Sequence, residues 1–202
     1  ASRIEAYASP SSILPNARSI LMLGVRYSTK DSSDELADYQ IAKYAQSGID
    51  YHDWVRERLK KLSAFHRELT PHARVRGVVD TAPLLERDYA KQAGLGWIGK
   101  NTLLINPQLG SGTFLAALLT TEELGPSRQV SKSDMPDCGS CRKCLDACPT
   151  GALEAPYVLN ANRCLSYLTI EHKGPIEDKT ALAMGDQLFG CDRCQDVCPW
   201  NK

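Results

Sequence analysis

The chain has 202 residues, 43 % of them apolar and 24 % charged, and its 24 Lys plus Arg balance 24 Asp plus Glu. That length buries a substantial core, and the zero formal charge excludes a histone-like nucleic-acid binder while leaving local basic patches open. No apolar run is long enough to cross a bilayer, and Ala1-Ser2-Arg3-Ile4-Glu5 has neither the basic stretch nor the apolar core of an export signal. A cytoplasmic protein with no membrane contact is expected, and the missing initiator Met leaves room for sequence upstream.

After a Pro- and Ser-rich opening, residues 19–27 are short and apolar and predict a buried strand. Leu36, Tyr39, Ile41, Ala42 and Ala45 recur at three- and four-residue spacings and predict a helix over 35–46, stopped by Gly48. Trp54, Val55, Leu59, Leu62 and Phe65 form a second helical stripe over 53–69. Its back is basic: Arg56, Arg58, Lys60, Lys61, Arg67, Arg74 and Arg76 stand against Glu57 and Glu68. The plain reading is a solvated helix face; the other is a surface for phosphates. Residues 74–80 predict a strand ended at Asp80, and Pro83 opens a helix through Leu84, Leu85, Tyr89 and Ala93 that stops near Gly94. Residues 102–105 and 113–121 flank Asn106-Pro107-Gln108-Leu109-Gly110 and predict a hairpin, whose second arm could also be helical. Charge, Pro and Ser dominate 122–137, which reads as a linker between a first domain, 1–128, and a second, 129–202.

All eight cysteines fall between Cys138 and Cys198. With no export signal, clustered thiols point to metal ligands rather than disulfides. Cys138-x2-Cys141-x2-Cys144-x3-Cys148-Pro149 is the bacterial ferredoxin ligand run, whose fourth cysteine serves a second cluster. Cys191-x2-Cys194-x3-Cys198-Pro199 repeats the end of the motif, and the isolated Cys164 supplies the missing ligand. By this crossed pattern Cys138, Cys141, Cys144 and Cys198 hold one 4Fe-4S cluster, and Cys148, Cys164, Cys191 and Cys194 hold the other. A 26-residue insert between Cys164 and Cys191 sets the chain apart from a simple ferredoxin. Structural zinc is the alternative, since paired cysteines also make tetrahedral sulfur sites; the three-ligand run ending in Cys-Pro suits a cube better.

Gly94-Leu95-Gly96-Trp97-Ile98-Gly99 matches the dinucleotide glycine pattern, and its extension to Lys100 nearly matches a phosphate loop. The order here is helix then strand, which does not bring a helix N-terminus to a pyrophosphate, and Asn101 stands where Ser or Thr would bind magnesium. Glycines so placed let a backbone approach a flat ring system closely.

Taken together the motifs resemble the epoxyqueuosine reductases. The likeness rests on Val79-Asp80-Thr81-Ala82-Pro83-x2-Glu86-Arg87, on Ala93-Gly94-Leu95-Gly96-Trp97-Ile98-Gly99-Lys100-Asn101, on Arg163-Cys164-Leu165-Ser166-Tyr167-Leu168-Thr169, and on Gly190-Cys191-Asp192-x-Cys194-Gln195-x2-Cys198-Pro199. It runs over nearly the whole chain, including Asp50-Tyr51-His52. The resemblance implies an oxidoreductase that uses cobalamin and two 4Fe-4S clusters to reduce epoxyqueuosine to queuosine at the wobble position of tRNA. It implies a tRNA anticodon stem-loop as partner, an external electron donor such as flavodoxin or ferredoxin, and a monomer. Family members usually extend before this start and often carry helical repeats after it, so the chain resembles a core cut from a longer protein. Reductive dehalogenases share the general plan but not this run of motifs.

Turning an epoxide into an alkene needs two electrons and an acid, so that oxygen leaves as water. The resemblance assigns the acid to Asp80, a role that requires burial to raise its pKa; without the resemblance, Asp80 helps to start the helix at Pro83. His52 would hold substrate or share the proton, or else bond at a helix start. Arg87 would bind phosphate or steady Asp80, or else form a surface ion pair. Gly96, Gly99, Lys100 and Asn101 are expected on the cofactor side, by backbone approach and polar contacts to corrin amides. The expected fold is α+β: a mixed-sheet α/β cobalamin-binding domain followed by a two-cluster ferredoxin-like domain. The rivals are an electron-transfer ferredoxin-type protein, which leaves residues 1–137 without a purpose, and a corrinoid iron-sulfur reductase of a small organic substrate, which has no use for the basic stretch.

Overall fold

Residues 6–7, 9–27, 39–125 and 136–201 are described by the structure, a computed structural model. They fall into two compact units, each discontinuous in sequence: Ala1–Val25, Ile49–Gly96 and Thr113–Met135 form one, and Arg26–Gly48, Trp97–Gly112 and Pro136–Lys202 the other. Residues 26–48 and 97–112, expected within the domain 1–128, therefore cluster with the cysteine-bearing segment. The expected linker lies outside the described residues from 126 to 135.

In the first unit Asp50 caps helix α1 (Tyr51–Leu69) by accepting from the His52 amide, which satisfies one of the unpaired donors of a helix start. The helix begins two residues before the apolar stripe because this cap, not the stripe, sets its start. Val55, Leu59, Ser63 and His66 form its buried face. That face packs on a three-stranded sheet of order β1 (Ser19–Arg26), β6 (Thr113–Thr120), β3 (Val75–Val78). Strands β3 and β6 run antiparallel with Val75 opposite Thr120 and Val78 opposite Ala117. As the central strand, β6 is buried from Ala116 to Thr120, which explains its continuous apolar run and settles it as strand rather than helix. Val55, Leu59, Val79 and Ala116 make the core cluster. Gly77 is required where α1 crosses β3, since a Cβ there would stand 2.9 Å from Leu59 Cβ. The buried His66 and Thr120 satisfy each other, Nε2 to Oγ1, at 2.9 Å.

Three expectations change. The hairpin joining 102–105 to 113–121 does not form: β5 (Leu104–Ile105) pairs antiparallel with β4 (Trp97–Ile98), while β6 enters the larger sheet. The turn between them does form, closed by Asn106 and Gly110 and by Asn106 Oδ1 accepting from the Gln108 and Leu109 amides. Helix α2 (Glu86–Gln92) starts three residues after Pro83, because Asp80 takes a left-handed φ of 56° and the Thr81, Leu84 and Glu86 amides donate two residues back, to the Val79, Ala82 and Leu84 carbonyls, in tight turns. Of the helix over 35–46, residues 35–38 lie outside the described residues. The rest is strand β2 (Gln40–Ile41), parallel to β9 (Gln187–Phe189), followed by a 3-10 turn over Lys43–Ala45. The Gln40 and Ala42 amides donate to Asp186 and Phe189 carbonyls at 2.8 Å, so partner-strand acceptors replace helical ones.

The rest of the second unit is made of short pieces: α3 (Lys143–Asp146), a β7–β8 pair (Leu153–Ala155, Val158–Leu159), α4 (Leu165–Ile170), α5 (Asp178–Met184) and α6 (Arg193–Asp196). No helix among the described residues is long and apolar enough to cross a membrane.

Candidate active site and cysteine sites

The loop after β3 meets the start of α1 at a chain of ionisable groups. His52 Nε2 lies 3.0 Å from Asp80 Oδ2, and His52 Nδ1 lies 2.8 Å from Asp50 Oδ1. Tyr51 donates its hydroxyl to the same Asp80 oxygen at 3.2 Å, and its ring stacks on Phe114 at 4.1 Å between centroids. With a carboxylate at each ring nitrogen, the arrangement suits a doubly protonated imidazolium that donates both ways. Burial by itself would lower the His52 pKa, but the hydrogen bonds to Asp80 and Asp50 outweigh it and hold the pKa above its ordinary value. The same bond holds Asp50 below the usual carboxylate range. The Asp80 side chain is 58 % exposed, not buried as the acid role was expected to require, so its carboxylate is open to a ligand.

Glu86, in the first turn of α2, accepts from the Asp80 amide at 2.9 Å. It thereby fixes the left-handed turn that presents Asp80, a conformation that Asp tolerates better than most residues. Burial pushes the Glu86 carboxyl up to about 7; the bond from the Asp80 amide and the charge of Arg87 oppose that rise, and the Asp80 charge adds to it. The sequence expected Asp80, His52 and Arg87 here, and the structure brings Asp80 and His52 into contact and sets Arg87 in the field of Glu86. Asp50, Tyr51 and Glu86 had no assigned role. Their signal was adjacency, since all three lie inside the quoted motifs.

In the second unit each ligand run winds into a four-residue helix that carries its third or second cysteine, Cys144 in α3 and Cys194 in α6. Cys138, Cys141, Cys144 and Cys198 line one cavity together with Ile105, Pro199 and Trp200. Burial pushes the Cys194 thiol up to about 12, and the charges of Cys191, Cys164, Cys144 and Cys148 add to the rise. Cys191 is raised by burial and then by Cys164 and Cys148. These mutual fields mark a second group of adjacent thiols, none in a disulfide. Two groups of soft sulfur donors fit iron-sulfur cubes by the chemistry of their ligands.

Of the residues expected at the corrin, Lys100 and Asn101 also meet the cysteine segment. Lys100 donates Nζ to the carbonyls of Gly139 at 2.5 Å and Cys141 at 2.9 Å, clamping the first cysteine loop, and Asn101 lines the same cysteine cavity. A Cβ on Gly99 would overlap Ile105 and Asn101, so close packing within the chain already requires glycine there. Gly96 ends the middle segment of the first unit.

The basic stretch divides. Arg58 lies over the Trp54 ring at 3.1 Å, Lys61 pairs with Glu57, and Arg74 donates to the Pro15 carbonyl. Arg56, which also donates to Asp53 at 3.2 Å, and Lys60, Arg67 and Arg76 line an open groove between α1 and β3.

Residues 137–201 match the family described as 4Fe-4S double cluster binding domain. That match and the thiol array define an iron-sulfur protein of mixed α/β fold, and decide against zinc. Residues 8–81 match the family described as Epoxyqueuosine reductase QueG, DUF1730. The chain is 41 % identical over 191 residues to the epoxyqueuosine reductase of Prochlorococcus marinus (strain NATL2A), across 94 % of this chain and 59 % of that protein. A solved epoxyqueuosine reductase with a tRNA-Tyr epoxyqueuosine-modified tRNA stem loop superposes with a TM-score of 0.86 at 40 % identity, over 98 % of this chain and 52 % of the other. The Bacillus subtilis epoxyqueuosine reductase, solved with its catalytic aspartate loop swung out of the active site, gives a TM-score of 0.85 at 39 % identity, over 98 % and 52 %. This chain belongs to the epoxyqueuosine reductase family. It spans little more than half the length of these relatives.

Proposed function

We propose that the chain is the core of an enzyme that reduces epoxyqueuosine to queuosine at the wobble position of tRNA. The observation that carries this reading is the Asp50–His52–Asp80 chain, an exposed carboxyl backed by a charged imidazole, in the same chain as a double-cluster domain. Removing the epoxide oxygen as water consumes two electrons and two protons and leaves the carbon–carbon double bond.

The chain's residues divide that work. Cys138, Cys141, Cys144 and Cys198 would hold one 4Fe-4S cluster and Cys148, Cys164, Cys191 and Cys194 the other, which would supply single electrons drawn from an external donor such as flavodoxin or ferredoxin. Cobalamin, which the family resemblance implies, supplies low-valent cobalt as the reductant of the epoxide. Gly96, Gly99, Lys100 and Asn101, placed on the cofactor side by that resemblance, would hold it. The proton that the His52 imidazolium holds against Asp80 Oδ2 passes through that carboxyl to the departing oxygen. Tyr51 orients Asp80 and Asp50 holds the imidazole charged. Arg56, Lys60, Arg67 and Arg76 meet phosphates of the tRNA anticodon stem-loop. The reaction and the corrin belong to residues 1–128 and the electron relay to 129–202, in a cytoplasmic monomer.

Asp80→Asn tests the reading. Turnover of epoxyqueuosine-bearing tRNA is expected to fall about 10²- to 10⁴-fold, while iron content and the base-off cob(II)alamin EPR signal stay as in the parent chain. Full retained activity removes Asp80 from the mechanism. A cobalt signal that stays base-on in the parent chain removes cobalamin.

A further inference from the structure

Asn101 is 4 % exposed, and its Nδ2 is one of two buried side-chain polar atoms without a hydrogen-bond partner among the described residues; Trp97 Nε1 is the other. The orientation of the amide is fixed by chemistry: the Leu103 N–H, 3.3 Å from Oδ1, can only donate, so oxygen faces it and the NH2 group turns away. Packing holds that orientation. Gly99 N bonds to Leu103 O at 2.8 Å, Thr102 N to Gly99 O at 2.9 Å, and the bare Cα of Gly99 leaves just enough room for Asn101 Oδ1. A buried donor left unpaired is costly and rare, and it marks a place where a partner is supplied from outside the chain. Asn101 lines the cavity shared by Cys138, Cys141, Cys144 and Cys198, so sulfur is the acceptor chemistry at hand.

We propose that the Asn101 side-chain amide donates an N–H···S hydrogen bond to the cluster held by these four cysteines and raises its reduction potential. The inference rests on the two-cluster reading above. Accepting one electron makes a cluster more negative, and a donor aimed at its sulfur stabilises that reduced state more than the oxidised one. A donor held in place by its own turn needs no reorganisation when the electron arrives. Asn101 is thus a positioning residue for the electron, biasing which of the two clusters holds it.

The test is an EPR-monitored redox titration of the cluster-loaded chain and of Asn101→Leu, which keeps the shape of the side chain but has neither donor nor charge. One midpoint potential is expected to fall by about 59 mV, a tenfold change in the reduced-to-oxidised ratio for one electron, with the other midpoint unmoved. Two unmoved midpoints, or equal shifts in both, overturn the proposal. Should the variant lose iron, the parent chain decides: with nitrogen-15 at the asparagine side-chain amides, pulsed EPR of the reduced protein should show a hyperfine coupling from one such nitrogen, and its absence overturns the proposal. The nearby Asn201 amide does not confuse the readout, since its Nδ2 donates to Ser111 Oγ and the Gln195 carbonyl. Iron and sulfide analysis separates the two readings, because a parent chain that takes up no cluster overturns the reading beneath as well.

Discussion

The two units hold themselves together by different means. The first has a nineteen-residue helix on a sheet whose central strand is buried over five consecutive residues, and its buried His66 and Thr120 satisfy each other. The second is assembled from helices of four to seven residues and strands of two or three, with eight free, partly buried thiols among them. Helices and strand pairs that short are marginal alone. The first unit is therefore stabilised by its own apolar contacts, whereas much of the stability of the second depends on what its sulfurs bind.

The strongest way to break that contrast is to remove the metal. Chelating the iron should abolish slow amide exchange throughout α3, α4 and α6 while the amides of α1 stay protected; equal loss of protection in both units would show that the first depends on the clusters too. A core truncation asks the reverse question. Leu59→Ala should cost about 2–5 kcal/mol in the unfolding of the first unit and leave the iron content unchanged. Smaller effects concern the surface of the first unit. Arg67→Ala and Arg76→Ala should each reduce the slope of log affinity against log salt for a tRNA stem-loop by about 1, with the same loss for unrelated stem-loops. The smallest effect comes from Glu86. Because its carboxyl is raised from 4.5 to about 7, the native state binds that proton more tightly than the unfolded chain does, and stability falls as pH rises through this window. His52, also raised, loses its contribution in the same direction as pH climbs past its folded pKa. Thermal unfolding of Glu86→Gln should therefore fall less steeply between pH 5 and 8 than that of the parent chain, and a parallel fall would deny the burial of this carboxyl.

The cysteine framework, α1, β1 and β3 were legible because each is written in local spacing: ligands two and three residues apart, an apolar stripe at helical period, short apolar runs. What was not legible depends on which segment meets which. Residues 104–105 and 113–120 carry the right turn between them, yet β5 pairs backwards with β4, a choice made by tertiary packing rather than by the turn. The cluster of ionisable groups around Asp80 was half legible. Asp80 and His52 could be named, but Glu86 looked like an ordinary acidic residue in a first helical turn, because nothing local shows that its carboxyl reaches back six positions to the Asp80 amide. Lys100 and Asn101 stood in a glycine-rich stretch that suggested a flat ligand, while their partners, Gly139, Cys141 and the cysteine cavity, lie about forty residues on.

The pairing of β2 with β9 carries a consequence for the timing of biosynthesis. Gln40 waits 147 residues for Gln187, which at bacterial elongation rates is roughly 7–30 s. The three strands and α1 of the first unit have all been synthesised once Thr120 has been made. The nascent chain can thus bring its apolar core together while later cysteines are still being translated, and the unit that carries the cysteines is completed last.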